Sequence, residues 1–255
     1  MNIVINNNEK AEIFVELFQY LKLFTSIISI SLETERFYIQ GMDSCQISIF
    51  EISLAKDWFD KYEIEVDKVI SMNVQIFAKI LHIHKSPQNI VLNFNEDAVD
   101  ISLLGEKGDF NKEFTMPLIE YDCDRLSVPA QEYDLDINLE SKKFKGFIDE
   151  LASFGDCLNI KLEDENIISL STTSEEGGSM KLSINIDELD ECSVTEGEEI
   201  NCSFSIKYIQ MMSQYQRISK NVELNFSNNI PMQCKYILEN DDNFIRFYMA
   251  PKIED

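Results

Sequence analysis

Basic residues are scarce in this 255-residue chain: 22 Lys and Arg face 46 Asp and Glu, for a formal charge of −24. A protein that turns basic charge toward nucleic acid on every side is thereby excluded. Lys and Arg gathered on one inner face are still compatible with the total. Long apolar runs are missing too. None approaches the ~20 residues that span a bilayer, and "MNIVINNNEK" lacks the charged-then-apolar order of a secretory signal. No membrane partner and no export are expected. Six cysteines (Cys45, Cys123, Cys157, Cys192, Cys202, Cys234) form no CxxC pair, which argues for reduced, mostly core thiols in an intracellular compartment. Phosphate loops, GxGxxG turns, GxSxG elbows and HExxH helices are all absent. The only histidines, His82 and His84, stand two apart on an expected helix and point apart, so they cannot share a metal. The acidic stretches "EDEN" and "DELDEC" lack the residue order of a calcium loop. No enzyme, cofactor or metal is expected, and a hydrolase has no motif behind it.

What is present is a core and a repeat. The chain is 44% hydrophobic and has 17 Phe. "IFAKILHIHKSPQNIVLNF" (Ile76 to Phe94) and "YIQMMSQYQRISKNVELNF" (Tyr208 to Phe226) each read as helix, polar loop, then alternating strand. "EIFVELFQYLKLF" (Glu12 to Phe24) and "KFKGFIDELASFG" (Lys143 to Gly155) are both amphipathic at helical spacing, and their separation nearly equals that of the first pair. Between these helices the chain alternates with period two, as in "CQISIFEISL", "DAVDISLL", "LNIKLED", "IISLSTT" and "FIRFYMA". The expectation is an α+β chain of two similar domains, 1–120 and 134–255, joined by a connector over 121–133, with two helices covering a sheet in each half. The second helix is expected over Val74–Lys85 and the fourth over Ile206–Arg217. Three of the four helices lean basic on their outer faces, an asymmetry that fits non-specific phosphate contact.

"QGMDSCQISIFEISL" (Gln40 to Leu54), "LSVPAQEY" (Leu126 to Tyr133), "SFGDCLNIKL" and the C-terminal "FYMAPKIED" resemble the DNA sliding clamps of the proliferating cell nuclear antigen family, along the whole chain. The resemblance implies two clamp domains per chain, helices on an inner face, antiparallel sheets outside, and a homotrimeric ring. Twelve helices, each ~10 Å across, would surround a hole wide enough for a duplex. The implied function is a polymerase processivity factor, a binding protein without cofactor. It would encircle duplex DNA, be opened by a clamp loader, and tether DNA polymerase and other proteins that carry a clamp-binding peptide. The implied place is the nucleus, or a viral replication compartment. Low Gly and Asn/Ile/Lys/Glu-rich usage fit an AT-rich genome, as in a protist or large DNA virus. The alternative is a clamp-like scaffold or decoy that binds partner peptides without encircling DNA.

The resemblance also places residues. The partner-peptide pocket falls on Met42, Gln46, Ile47, Leu126, Val128, Pro129, Tyr133, Pro231, Tyr248, Met249, Ala250, Pro251 and Lys252. The DNA-facing set is Lys22, Lys79, His82, Lys142, Lys145, Lys207, Arg217 and Lys220. The subunit contacts are Phe114, Leu151, Phe154, Met180 and Leu182, on an edge strand "DFNKEFTMPL" and its partner "GGSMKLSI"; Pro117, which has no N–H, should end the first ladder. Where the family expects basic helix residues stand Val15, Glu16, Gly146 and Asp149, which implies weaker DNA contact. Gln46 replaces the usual pocket His, and Asp164 the loop lysine that receives ubiquitin in many eukaryotic clamps.

Overall fold

Two asparagines start the helices of the first half. Asn7 Oδ1 accepts from the Lys10 N–H (3.1 Å) at the head of α1 (Asn8–Leu21), and Asn73 Oδ1 accepts from the Ile76 N–H (3.1 Å) at the head of α2 (Val74–Leu81). In the computed structural model the residues described are 1–105, 110–121, 125–164 and 166–252, with only the backbone of Asp164; Cys123 and the Asp164 side chain fall outside them. The chain divides into two compact units: residues 1–44, 50–126 and 238–245 form the first, and 45–49, 127–237 and 246–255 the second.

In the first unit β1 (Asn2–Ile5) lies inside the sheet order β5-β1-β7-β8-β9, with β5 at Lys61–Glu63, β7 at Asn89–Phe94, β8 at Ala98–Leu104 and β9 at Lys112–Pro117. A second run has the order β4-β3-β2-β6, from β2 (Ile27–Leu32), β3 (Arg36–Met42), β4 (Ser48–Ala55) and β6 (Lys68–Asn73). The second unit repeats both patterns. β10 (Leu135–Glu140), β14 (Glu191–Val194), β16 (Asn221–Phe226) and β17 (Met232–Ile237) run β14-β10-β16-β17. β11 (Cys157–Asp164), β12 (Ile167–Ser174), β13 (Gly178–Asn185) and β15 (Asn201–Ser205) run β13-β12-β11-β15. Helices α3 (Ser141–Leu151) and α4 (Ile206–Ser213) occupy the places of α1 and α2, and β18 (Phe244–Met249) closes the strand list. The chain is therefore a duplicated β-α-β arrangement, with the repeat where the sequence puts it.

Helix limits differ from the sequence reading. Capping by Asn7 starts α1 four residues before Glu12. α2 stops at Leu81 rather than Lys85, because the Ile83 and His84 N–H groups bond three residues back, to Ile80 (3.0 Å) and Leu81 (2.9 Å), and tighten the last turn. His82 is thus a C-cap and His84 lies beyond the helix, its Nε2 2.6 Å from the Gln88 carbonyl. α4 ends at Ser213, followed by a 3₁₀ turn over Gln214–Arg217.

Each helix pair buries an apolar stripe. In the first unit the rings do the packing: Phe14 and Phe18 are 5.0 Å apart, Phe18 and Phe77 4.7 Å apart and nearly perpendicular. The second unit mixes rings, such as Phe204 beside Phe226 at 6.0 Å, with aliphatic side chains, and has an apolar void of about 20 Å³ among Phe144, Ile160, Ile184, Ile209 and Leu224. Burial pushes the Cys202 and Cys234 thiols up to about 12, so both stay protonated core groups. Gly146 lies mid-helix in α3, exposed, with open space where a Cβ would be. Gly146→Ala is therefore expected to stabilise the protein by about 0.5–1 kcal/mol, read as a higher urea midpoint with unchanged slope.

Candidate functional site

The helix faces carry the basic residues expected to meet DNA. Lys79 on α2, Lys142 on α3, Lys207 on α4 and Lys220 before β16 are exposed, and their ammonium groups have no hydrogen-bond or ion-pair partner among the described residues. His82 and Arg217 are exposed as well. Two further expected contacts are already engaged. Lys145 pairs with Asp149 at 2.6 Å one turn along α3, and half-buried Lys22 donates to Gln19 Oε1 at 2.7 Å. Gln19 in turn donates to the Ala78 carbonyl (2.5 Å) and Gln75 to the Lys22 carbonyl (2.8 Å), so these polar groups tie α1 to α2. Glu9 and Glu12 are exposed on α1, Asp149 and Glu150 on α3. The basic lining is thin because acidic neighbours share the same faces.

Each unit has an open strand edge. β9 is an outer strand of the first unit and β13 of the second, so each leaves one side of its backbone without a strand partner among the described residues. β9 ends on Pro117, opposite Ala98, and the next residue still bonds across, the Leu118 N–H donating to the Asp97 carbonyl at 2.8 Å. On β9 the core-facing row runs from buried Met116 to half-buried Phe114. On β13 the same row runs from buried Ile184 to half-buried Leu182 and Met180. Both strands thus carry their apolar row out of the core and into the open. Phe154 follows α3 at the turn of β12 and β13, where a Cβ on Gly177 would meet the Phe154 carbonyl at 3.3 Å, and it is 38% exposed. Leu151, assigned to the interface with it, is fully buried on the inner stripe of α3 and has no surface for a neighbour. Phe110, which the sequence reading passed over, is 87% exposed just before β9, and Ile83 near it is also exposed. An unpaired Phe at an edge-strand terminus was the available signal.

The connector and tail carry most of the expected pocket residues. In the second unit the Ala250 N–H donates to the Ile47 carbonyl (3.0 Å) and the Lys252 N–H to the Ser203 carbonyl (2.7 Å), which laces the tail between the 45–49 segment and β15. Gln46 is exposed and left-handed (φ 58°), so its side chain is thrown outward. Tyr133 OH donates to the Pro231 carbonyl (3.2 Å); burial raises its pKa to about 12 and keeps it a donor. Val128, Pro231, Tyr248 and Pro251 are half-buried, and Pro129, Ala250 and Lys252 exposed. Met249 is a correction. Inward positions on β18 are Ile245, Phe247 and Met249, all fully buried, so strand alternation takes Met249 out of any pocket wall. In the first unit Met42 and Leu126 are half-buried, and Leu126 is held by Gln40.

Two family descriptions match nearly end to end: "Proliferating cell nuclear antigen, N-terminal domain" over residues 5–126 and "Proliferating cell nuclear antigen, C-terminal domain" over 127–253. The chain belongs to the proliferating cell nuclear antigen family. It is 26% identical over 258 aligned positions to proliferating cell nuclear antigen 2 of Plasmodium falciparum (isolate 3D7), covering 96% of this chain and 97% of that one. Its fold is similar to a crystal structure of the PCNA2–PCNA3 complex from Sulfolobus tokodaii, with a TM-score of 0.87, 22% identity and full coverage of both chains. The duplicated β-α-β arrangement is accordingly the clamp fold, and the chain is a sliding clamp of this family, whose members are scaffolds rather than enzymes. Both family matches meet at Leu126 and Ser127, where the two units also divide.

Proposed function

We propose that this clamp assembles as a homotrimeric ring in the nucleus, encircles duplex DNA after a clamp loader opens it, and tethers a DNA polymerase and other partner proteins through short peptides. The observation that carries this reading is the pair of unpartnered edges, β9 and β13, each with an apolar row left open. They lie on different parts of one chain, so pairing β9 of one copy with β13 of the next is heterologous and can close a ring. The ammonium groups of Lys79, Lys142, Lys207 and Lys220 supply sequence-independent phosphate contacts, and the −24 charge of each chain repels DNA elsewhere. Light scattering of the free protein at micromolar concentration tests the ring: a mass of three chains is expected, and a monomer mass would sink it.

The connector and tail supply the peptide site. Leu126 and Val128 are apolar side chains in a surface segment, the kind of anchor surface a short peptide uses. Leu126→Ala with Val128→Ala should weaken binding of an aromatic-plug peptide by ~1–3 kcal/mol and leave the trimer intact. Loss of the trimer with peptide binding spared would contradict the assignment. A second reading, a scaffold that binds peptides without encircling DNA, is favoured by one observation: Lys145 and Lys22 are already engaged within the chain.

A further inference from the structure

Three residues of β3, spaced by two, belong to one arrangement. Phe37 and Ile39 face the core, while Arg36, Tyr38 and Gln40 share the opposite face. Gln40 and Tyr38 engage the two residues with which the first unit's share of the connector ends, and Arg36 joins them through Glu33. The Gln40 amide makes a pair of bonds with the Leu126 backbone: the Leu126 N–H donates to Oε1 at 2.7 Å, and Nε2 donates to the Leu126 carbonyl at 3.0 Å. That is what a neighbouring strand would offer, supplied by one side chain. The Arg125 guanidinium lies over the Tyr38 ring, 4.1 Å from its centroid, with Arg36 4.6 Å from the same centroid. Glu33 joins the two arginines, accepting from Arg36 Nε (2.6 Å) and Arg125 Nη1 (3.2 Å). Tyr38 is fixed from below: its OH donates to the buried Glu51 carboxylate at 2.6 Å, and burial with that carboxylate raises its pKa to about 12, so it stays a neutral donor.

We propose that Gln40 and Arg125 are positioning residues for the partner-peptide site: with Arg36, Tyr38 and Glu33 they clamp the connector backbone at Leu126, and so hold Leu126 and Val128 in the conformation that receives a peptide. This rests on the reading of the connector as the peptide site. A surface segment with no strand of its own would otherwise sample many conformations, and a peptide would have to select the competent one. Its apparent affinity is then reduced by the competent fraction. A bidentate amide and a stacked guanidinium remove that loss before binding, which is preorganisation. The clamp touches no peptide itself; its effect passes through the Leu126 backbone.

The test uses the full-length protein with a fluorescein-labelled synthetic aromatic-plug peptide and two readouts, hydrogen exchange at the Leu126 amide and peptide affinity. Gln40→Leu removes both bonds at similar volume. Arg125→Ala removes the stack at a residue that is half exposed and safe for folding. Each variant is expected to speed Leu126 exchange and to weaken the peptide about tenfold, the loss for a connector competent a tenth of the time, with melting temperature and trimer mass unchanged. Arg125→Lys keeps the charge but loses the planar stack and is expected to restore affinity only in part. Faster exchange at Leu126 with peptide affinity unchanged in both variants overturns the proposal, as does a Leu126 amide that exchanges freely in the unsubstituted protein. An unsubstituted protein with a protected Leu126 that binds no peptide overturns instead the peptide-site reading, and the clamp's role falls with it.

Discussion

Phe114→Asp combined with Met180→Asp is expected to turn the proposed trimer into single chains. Both side chains stand where an apolar row leaves the core at an open strand edge, half-buried in the isolated chain. Closure of the ring would bury them against the neighbouring copy. A carboxylate buried there without a compensating cation costs about 3–5 kcal/mol. At roughly 1.4 kcal/mol per tenfold, each interface weakens by at least two orders of magnitude, and a ring needs three. The isolated chain tolerates the same change well, because both residues reach water. The expected result is a monomer peak in sedimentation velocity with an unaltered far-UV spectrum and melting temperature. A persistent trimer would remove β9 and β13 from the interface.

The second large effect is electrostatic. Lys79, Lys142, Lys207 and Lys220 are exposed, with ammonium groups that have no partner among the described residues, which makes them the strongest candidates for phosphate contact. Changing all four to Glu should leave the ring closed and lower its interaction with DNA on the order of 10²–10³-fold at low salt. The dependence of log affinity on log salt should flatten, by roughly one per lost phosphate contact. Reversing Lys145, already paired with Asp149 at 2.6 Å, should do much less than reversing Lys142. Equal effects of Lys142→Glu and Lys145→Glu would show that net charge, and not the freedom of the individual ammonium group, governs the contact.

Much of this was legible in the chain's own spacing. Both helix pairs could be found because Phe14, Leu17, Phe18 and Leu21, like Phe144, Ile148 and Leu151, repeat at helical spacing, and the repeat fixed their partners. What failed was one-dimensional reading of three-dimensional faces. Leu151 and Phe154 are both apolar near the end of α3, yet only the structure separates the core stripe from the open turn that follows it. Met249 was placed in the pocket by the resemblance of "FYMAPKIED", while strand alternation turns it inward. Lys22 reads as a free cation until Gln19 is seen beside it. The β3 clamp escaped altogether. Arg36, Tyr38 and Gln40 are spaced by two, but their partners Arg125 and Leu126 lie far along the chain, and no periodicity connects them.

The claim that this clamp encircles DNA is tested most directly by topology. The protein is loaded, with clamp loader and ATP, onto a closed circular duplex, and retention is measured by gel filtration in high salt before and after the circle is cut once. Encirclement predicts retention on the circle that survives salt, because a ring needs no contact to stay threaded, and its loss within minutes of linearisation as rings slide off the ends. Equal retention on circular and linear DNA, or none on either, would contradict it.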